Sequence, residues 1–427
     1  MIKIEINDEF KEALMLMEDT KENLFITGKA GTGKSTLLSY FIENTGKDVV
    51  VLAPTGTAAL NIKGSTIHSF FRFKPGITVD NAEETASKLT DPSLYRKIDT
   101  IVIDEISMVR ADLLDCIDVF LRKARKEYFP FGGVQMVFLG DFYQLSPVLS
   151  GYEKDAFLQI YKTPYIFSSE VMQGEDFDLH YIELKKIYRQ KDSRFIEILN
   201  AVRKNSITNE HLSILNSRYS PFARKKDAGF ICLTSTNSGA DHINAIELEE
   251  IKSKMSVFNA SVRGDFGLKM DPTERNLKLK VGAQVMCLAN HSEGAYVNGS
   301  IGNILNIEDE VITVKLLNGN TVFIQHFKWQ IYGYELNSKT RRLQQIIMGS
   351  FQQFPLKLAW AMTIHKSQGK TFNKIIIDLG KRAFAHGQVY VALSRCTSLE
   401  GLAFKRPLRR QDVLVDSCLE YFLAQME

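Results

Sequence analysis

Cysteine is sparse in this sequence. Cys116, Cys232, Cys287, Cys396 and Cys418 are scattered without a C-x-x-C pair, which speaks against a zinc or iron–sulfur site and suits a reducing compartment. No apolar run reaches the ~18 residues that a bilayer span requires. Residues 1–8 have neither the apolar core of a signal peptide nor the Arg/Ser bias of a transit peptide. The expectation is a soluble, cytoplasmic protein with no membrane partner. A dominant charge is lacking too: 53 Lys and Arg against 50 Asp and Glu leave a formal net charge of +3, so bulk charge gives no argument for nucleic acid. Basic residues run together at 122–126, 224–226 and 405–410, but such runs are more often solvated faces than binding sites. Repeats and low-complexity segments are absent as well.

A chain of 427 residues is too long for one ordinary core, and its length points to two to four domains. Apolar runs at 23–27, 49–53, 100–104 and 134–139 alternate with helical stretches such as 35–44. That order predicts an α/β fold whose parallel sheet is covered on both faces. Segments 230–233 and 374–379 read as strands of a second sheet of the same type. From 281 to 348 the pattern is β only, and Asn318-Gly319 between 311–317 and 321–324 is a strong hairpin signal. The expected organisation is a first domain at 1–185, a second at 186–280 and 349–427, and a small β domain at 281–348 inserted in the second.

Gly28-Lys29-Ala30-Gly31-Thr32-Gly33-Lys34-Ser35 fits G-x-x-x-x-G-K-[ST] between a predicted strand and a predicted helix. Glycines let backbone N–H groups wrap a phosphate, and the helix N-terminus adds positive potential. Lys34 can reach the β- and γ-phosphates while the Ser35 hydroxyl coordinates Mg²⁺. At the end of the 100–104 strand, Asp104 can hold the metal directly or through water, and Glu105 is placed to activate the attacking water. Together they describe transfer of the ATP γ-phosphoryl group to water, with Arg189 and Arg395 as candidates for completing the site from a second domain.

Taken in order, the motifs resemble superfamily 1 helicases of the Pif-type (petite integration frequency) and RecD-like group. The resemblance rests on residues 28–36, Ala53-Pro54-Thr55-Gly56-Thr57-Ala58-Ala59, Asp104-Glu105-Ile106-Ser107-Met108-Val109 and Gly140-Asp141-Phe142-Tyr143-Gln144-Leu145-Ser146-Pro147-Val148. It continues through Tyr188-Arg189-Gln190, Thr363-Ile364-His365-Lys366-Ser367-Gln368-Gly369-Lys370-Thr371 and 389–402. Residues 105–125 also look like the signature of the Pif-type branch.

This resemblance implies two RecA-like domains with ATP between them. The expected ATP contacts are Gly28, Ala30, Gly31, Thr32, Gly33, Lys34, Ser35, Thr36, Gln144, Arg189, Gly369 and Arg395, with Gln144 sensing the γ-phosphate. Single-stranded DNA would cross both domains, with movement 5′-to-3′. Thr55, Gly56, Thr57, Ala58, His68, Ser69, Phe70, Pro147, Val148, Thr236, Asn237, Asn298, Gly299, His365 and Lys366 fall where the family grips the strand. The inserted β region resembles the family's SH3-like domain, with Asn298-Gly299 at its entrance. Tailed duplexes and G-quadruplex DNA join the expected substrates, and the free chain is expected to be a monomer.

Where the family has a glutamine that reads adenine, this sequence has Phe10, which cannot read a hydrogen-bonding edge. Segment 69–80, with Phe70, Phe71, Phe73 and a Pro75-Gly76 turn, reads as a protruding apolar wedge, against the plainer reading of core packing. A DNA-dependent ATPase switch that does not translocate, and the motor subunit of a recombination complex, stay open as alternatives.

Overall fold

The computed structural model describes residues 6–147, 149, 153–190, 192–220, 229–266, 271–337, 339–340 and 342–426. Six strands form the first sheet: β1 (Asn23–Gly28), β2 (Val49–Ala53), β3 (Ser65–Thr66), β4 (Thr100–Ile103), β5 (Gln135–Gly140) and β6 (Leu179–Leu184). Their order is β3-β2-β4-β5-β1-β6, and every pairing is parallel. Parallel neighbours require crossovers, supplied by α1 (Asp8–Asp19), α2 (Lys34–Asn44), α3 (Gly56–Asn61), α4 (Ile67–Phe71), α5 (Val79–Ser87), α6 (Ser93–Lys97), α7 (Ala111–Arg125), α8 (Lys154–Ile160) and α9 (Glu170–Gln173). Successive strand side chains point to opposite faces. Leu24, Ile26, Val102, Val137 and Leu139 therefore meet Phe10, Met17, Leu37 and Phe41 of α1 and α2. Phe25, Ile101, Ile103 and Phe138 face Leu114, Ile117 and Phe120 of α7. Covering on both faces is why β2, β4 and β5 are almost wholly apolar.

The chain then makes α10 (Ser193–Arg203), α11 (Asn209–Asn216), β7 (Ile231–Thr234) and α12 (Asn237–Glu250). Ten strands follow before it returns to the β7 sheet: β8 (Met255–Asn259), β9 (Ser261–Gly264), β10 (Asn276–Lys280), β11 (Gln284–Cys287), β12 (Ile301–Ile307), β13 (Ile312–Leu316), β14 (Thr321–Ile324), β15 (Phe327–Leu336), β16 (Leu343–Gln353) and β17 (Leu356–Leu358). Strands β18 (Ala361–Thr363), β19 (Ile375–Asp378) and β20 (Leu402–Phe404), with α13 (Gln388–Ser394) and α14 (Ser417–Met426), complete the chain. The second sheet runs β18-β7-β19-β20, again all parallel. These are the two RecA-like domains.

The inserted strands span Met255 to Leu358, wider than the expected 281–348. Strands β8 and β10 alternate exposed with less exposed side chains, so their apolar signal is weak and the pattern is easily assigned to the preceding helix. The Asn318-Gly319 turn does join antiparallel strands, β13 and β14. The β15–β16 hairpin reaches back to the first domain. There the Tyr334 hydroxyl accepts the Val51 N–H at 3.0 Å, and the Leu343 N–H donates to Asp48 Oδ1 at 3.1 Å. Among the described residues no helix is long and apolar enough to cross a membrane.

The wedge expected at 69–80 is corrected by its phenylalanines. Phe70 and Phe73 are each 6% exposed and Phe71 is fully buried. Phe71 stacks on Phe73 at 5.3 Å and meets Phe120 of α7 edge-on at 5.2 Å, while the Tyr95 hydroxyl donates to the Phe70 carbonyl at 3.0 Å. Tyr95 of α6 closes this aromatic cluster, with its ring 5.5 Å from that of Phe70 and 4.8 Å from that of Phe120. Only Arg72, Lys74, Pro75 and Gly76 are exposed at the turn, so no apolar blade projects, and Phe70 has no free face for a base. Phe71→Ala should cost about 3–5 kcal/mol as a buried ring leaves a cavity. Chemical denaturation followed by the first domain's unfolding should show it, and an unchanged midpoint would contradict the packing described.

Candidate nucleotide and nucleic-acid sites

Strand β1 ends at Gly28, and the loop to α2 folds around a cavity of about 680 Å³. Ala30, Gly31, Thr32, Gly33, Lys34, Ser35 and Thr36 line it from below, Glu105 and Gln144 from the strand ends, and Arg189, Gly369 and Arg395 from the far side. Gly28 and Asp104 lie just behind this lining: the Gly28 carbonyl accepts from Lys34 Nζ at 2.5 Å, with the Lys29 carbonyl at 3.3 Å. Gly31 has φ +86°, and a Cβ there would stand 2.5 Å from that of Arg189. Glycine is what lets the Arg189 backbone approach the loop so closely, beside the Tyr188 N–H, which donates to the Gly31 carbonyl at 2.9 Å.

Charge in the cavity is unbalanced in a telling way. Burial, reinforced by Glu105, pushes the Asp104 carboxyl up to about 7. Glu105 is also raised, chiefly by burial. Its backbone has φ 53°, a left-handed conformation that a non-glycine residue adopts at a cost. Lys34 is lowered by burial, against the pull of Asp141 and Glu105. Opposite them, Arg395 is driven down to about 9 by burial and by Arg189. Its Nε donates to the Val391 carbonyl at 3.1 Å and its Nη2 to Ser394 Oγ at 2.9 Å. Arg189 Nη1 donates to the Ser394 carbonyl at 3.1 Å. Two adjacent guanidiniums held by neutral groups leave room for an anion between them and the phosphate loop.

Several contacts that motif reading did not supply hold the two halves together. Arg203 at the end of α10 reaches Asp141 at 3.0 Å with both side chains buried, and lies 4.2 Å from the centre of the Tyr143 ring. The Ala30 N–H donates to the Tyr390 hydroxyl at 3.1 Å. A Cβ on Gly387 would stand 2.1 Å from the Gln144 carbonyl, so α13 abuts the Gln144 loop. Phe10 and Tyr188 join the cavity lining. A Cβ on Gly33 would be 3.3 Å from the Phe10 ring edge and 3.9 Å from that of Tyr188, so both rings border the phosphate-loop glycine, with Phe10 itself 2% exposed.

Four of the expected DNA-gripping residues, Thr57, Asn237, Asn298 and Lys366, line a second cavity of about 590 Å³ between the first domain, α12 and the inserted strands. Gly299, with Asn298, lines a third cavity that runs back to Ser35 and Gly369. Thr55 and Thr236 cap α3 and α12, accepting from the Ala58 and Gly239 N–H groups, and Gly56 and Ala58 follow on α3. His68 is half-buried, Ser69 exposed, Pro147 buried and His365 half-buried; none of these four lines the second cavity. Val148 lies outside the described residues, as does the basic run 224–226. The other two runs are structural. Arg122 pairs with Asp118 at 2.8 Å, Arg125 donates to the Gly132 carbonyl at 2.6 Å, and Lys405 and Arg406 pair with Asp378 and Asp412 at 2.7 and 2.6 Å.

The PIF1-like helicase family profile matches residues 5–212, and a second profile, described as helicase, matches residues 335–425. The chain is 33% identical to the ATP-dependent DNA helicase Pif1 of Bdellovibrio bacteriovorus, over all of this chain and 93% of that protein. With human ATP-dependent DNA helicase PIF1 the identity is 35%, covering 89% of this chain but 58% of the human protein. Bacteroides sp Pif1 in complex with ADP-AlF4 superposes with a TM-score of 0.90 at 36% identity, covering 99% of this chain and 97% of that one. Bacteroides Pif1 bound to ssDNA, at the same identity and coverage, gives 0.70.

Phe10 offers a ring but no hydrogen-bonding edge. Discrimination among ATP, GTP, CTP and UTP should therefore be weak, well short of the ~10⁴ that a hydrogen-bonding site achieves. DNA-stimulated kcat/KM for the four nucleotides measures this, and a strong preference for ATP would assign base reading to another residue.

Proposed function

We propose, from the premise that this chain belongs to the PIF1-like helicase family and is an ATP-dependent DNA helicase, that it tracks 5′-to-3′ along single-stranded DNA and separates the duplex ahead. The observation that carries this reading is the loop after β18. Gly369 and Thr371 face the nucleotide cavity while Lys366 and Lys370 face the second cavity. Residues of the two linings alternate along one six-residue segment, so hydrolysis in one cavity is positioned to alter the grip in the other. Arg395, together with the Lys366 segment that lines both cavities, favours a motor over a switch that does not translocate. Both halves of that site come from one chain, which supports a monomer as the free form. Five scattered cysteines with no C-x-x-C pair suit a reducing, cytoplasmic setting.

In this reading Lys34 and the loop N–H groups hold the β- and γ-phosphates, and Gln144 orients the γ-phosphate. Arg189 and Arg395 neutralise charge that builds during transfer. The paired, elevated carboxyls of Asp104 and Glu105 beside the Ser35 hydroxyl suit a divalent cation, which would lower Asp104 again. Ser35 and Asp104 would hold Mg²⁺, whose contribution when bound is to neutralise phosphate charge. Glu105 takes the proton from the attacking water. Glu105→Gln should keep nucleotide and DNA binding and lose roughly 10²- to 10⁴-fold in hydrolysis; near-parental turnover would remove Glu105 from the mechanism.

The arrangement here matches the nucleotide-bound Bacteroides structure at 0.90 and the ssDNA-bound one at 0.70. This supports a rearrangement of the parts when DNA binds, with the Tyr334–Val51 contact belonging to the DNA-free arrangement. Tyr334→Phe leaves a buried N–H unpaired, at about 1–3 kcal/mol. Felt only before binding, that cost should raise single-strand affinity about fivefold or more, and equal or weaker binding would place the contact in both arrangements. Unwinding of substrates with a 5′ tail, a 3′ tail, no tail or a G-quadruplex tests the reading as a whole. Activity dependent on a 3′ tail alone would overturn the direction.

A further inference from the structure

The second cavity holds more positive charge than its own acids balance. Lys357 on β17 lines it together with Lys366 and Lys370. Lys370 Nζ donates to Asn298 Oδ1 at 2.8 Å, whereas the Lys357 ammonium has no hydrogen bond or ion pair among the described residues. Acidic groups do face the cavity: Asp241 from α12, and Asp271 and Glu274 from the segment before β10. Asp271 is taken by Arg275 at 2.7 Å. Glu274 is raised by burial and by Asp241, and the cations acting on it are Lys278 and Lys366. The charges acting on Lys357 are Lys370 and Lys366 alone. A lysine placed in a recess beside two cations and no carboxylate keeps its charge through neutral pH only when an anion from outside joins it.

We propose that Lys357, Lys366 and Lys370 form a socket for one phosphodiester of single-stranded DNA, through which the inserted β domain grips the strand. This rests on the DNA-tracking reading above and adds Lys357, which no motif contains. A linked phosphodiester fits the recess better than a free anion. Its walls come from Thr57 in the first domain, Asn237 in the second and Trp329 in the insertion, so a chain lying there touches all three parts.

The socket has a signature that ordinary surface lysines lack. Burial and then its two neighbours push Lys357 down to about 7, and burial takes Lys370 to about 8. A phosphate beside them restores their charge, so binding takes up protons at a pH above these free-state values and below the bound-state ones. Affinity is level below about pH 7, where Lys357 is already charged, and falls as pH rises above it, by up to about tenfold per pH unit for each group.

The test uses the full chain without nucleotide and a labelled oligothymidylate, with fluorescence anisotropy from about pH 6.5 to 8.5 at fixed ionic strength. Calorimetry in buffers of different ionisation heat counts the protons. The parent should lose affinity about tenfold or more over that range and take up protons on binding. Lys357→Arg, always charged, should retain affinity with a flatter profile and fewer protons. Lys357→Met should bind weakly and reduce the salt slope by about 0.7. If Lys357→Met fails to fold by circular dichroism, the Lys357→Arg profile decides alone. An unchanged proton count and pH slope in Lys357→Arg overturn the socket. So does displacement of the oligonucleotide by equivalent inorganic phosphate, which marks a free-anion site. Failure of the parent to bind the oligonucleotide at all would instead sink the DNA-tracking reading.

Discussion

Asp141 and Arg203 are buried against one another where the two RecA-like domains meet, 3.0 Å apart with the Tyr143 ring beneath the guanidinium. Burial alone would lower the guanidinium, but Asp141 outweighs it, and Arg203 is held above its ordinary value. A pair taken out of water adds little net stability, yet removing one partner strands the other charge. Its effect is geometric: α10 has few other ways to sit. The same carboxylate accepts the Tyr143 N–H at 3.2 Å and lies 3.4 Å from Gln144 Nε2. Docking of the second domain and placement of the glutamine beside the phosphate site thus share one anion.

Around that joint the nucleotide cavity is assembled from opposed halves. Carboxylates and a phosphate-wrapping loop come from the first sheet, and guanidiniums held by carbonyl and hydroxyl oxygens come from the second. Neither half is electrostatically comfortable, as the raised Asp104 and the lowered Arg395 record. On the proposed function, a polyphosphate bound with its cation between the halves relieves both. The 366–371 segment lines both cavities, and the Lys370–Asn298 contact ties it to the inserted strands.

Much of this was legible in the residues. Strands of a covered parallel sheet are apolar on both faces, so β1, β2, β4 and β5 stood out within a residue or two of their ends. The phosphate loop, Asp104-Glu105 and the Asn318-Gly319 turn are local in sequence because their chemistry is local in space. Phe70, Phe71 and Phe73 were ambiguous for the opposite reason. Aromatic residues before a Pro-Gly turn suit a blade or a core equally, and only the approach of Tyr95 on α6 and Phe120 on α7 decides between them.

The sequence by itself determined the fold class, the glycine-rich loop between β1 and α2 and the order of the motifs, since periodicity and short-range spacing encode those directly. Tertiary structure decided which distant residues share a charge or a wall. Arg203 meets Asp141 across 62 positions, Tyr390 meets Ala30 across 360, and Tyr334 meets Val51 across 283. Lys357 turns from one lysine among many into an unbalanced charge only where Lys366 and Lys370 close around it. No local pattern reports such pairings, because they depend on how separately folded sheets are oriented, and burial then makes each contact selective.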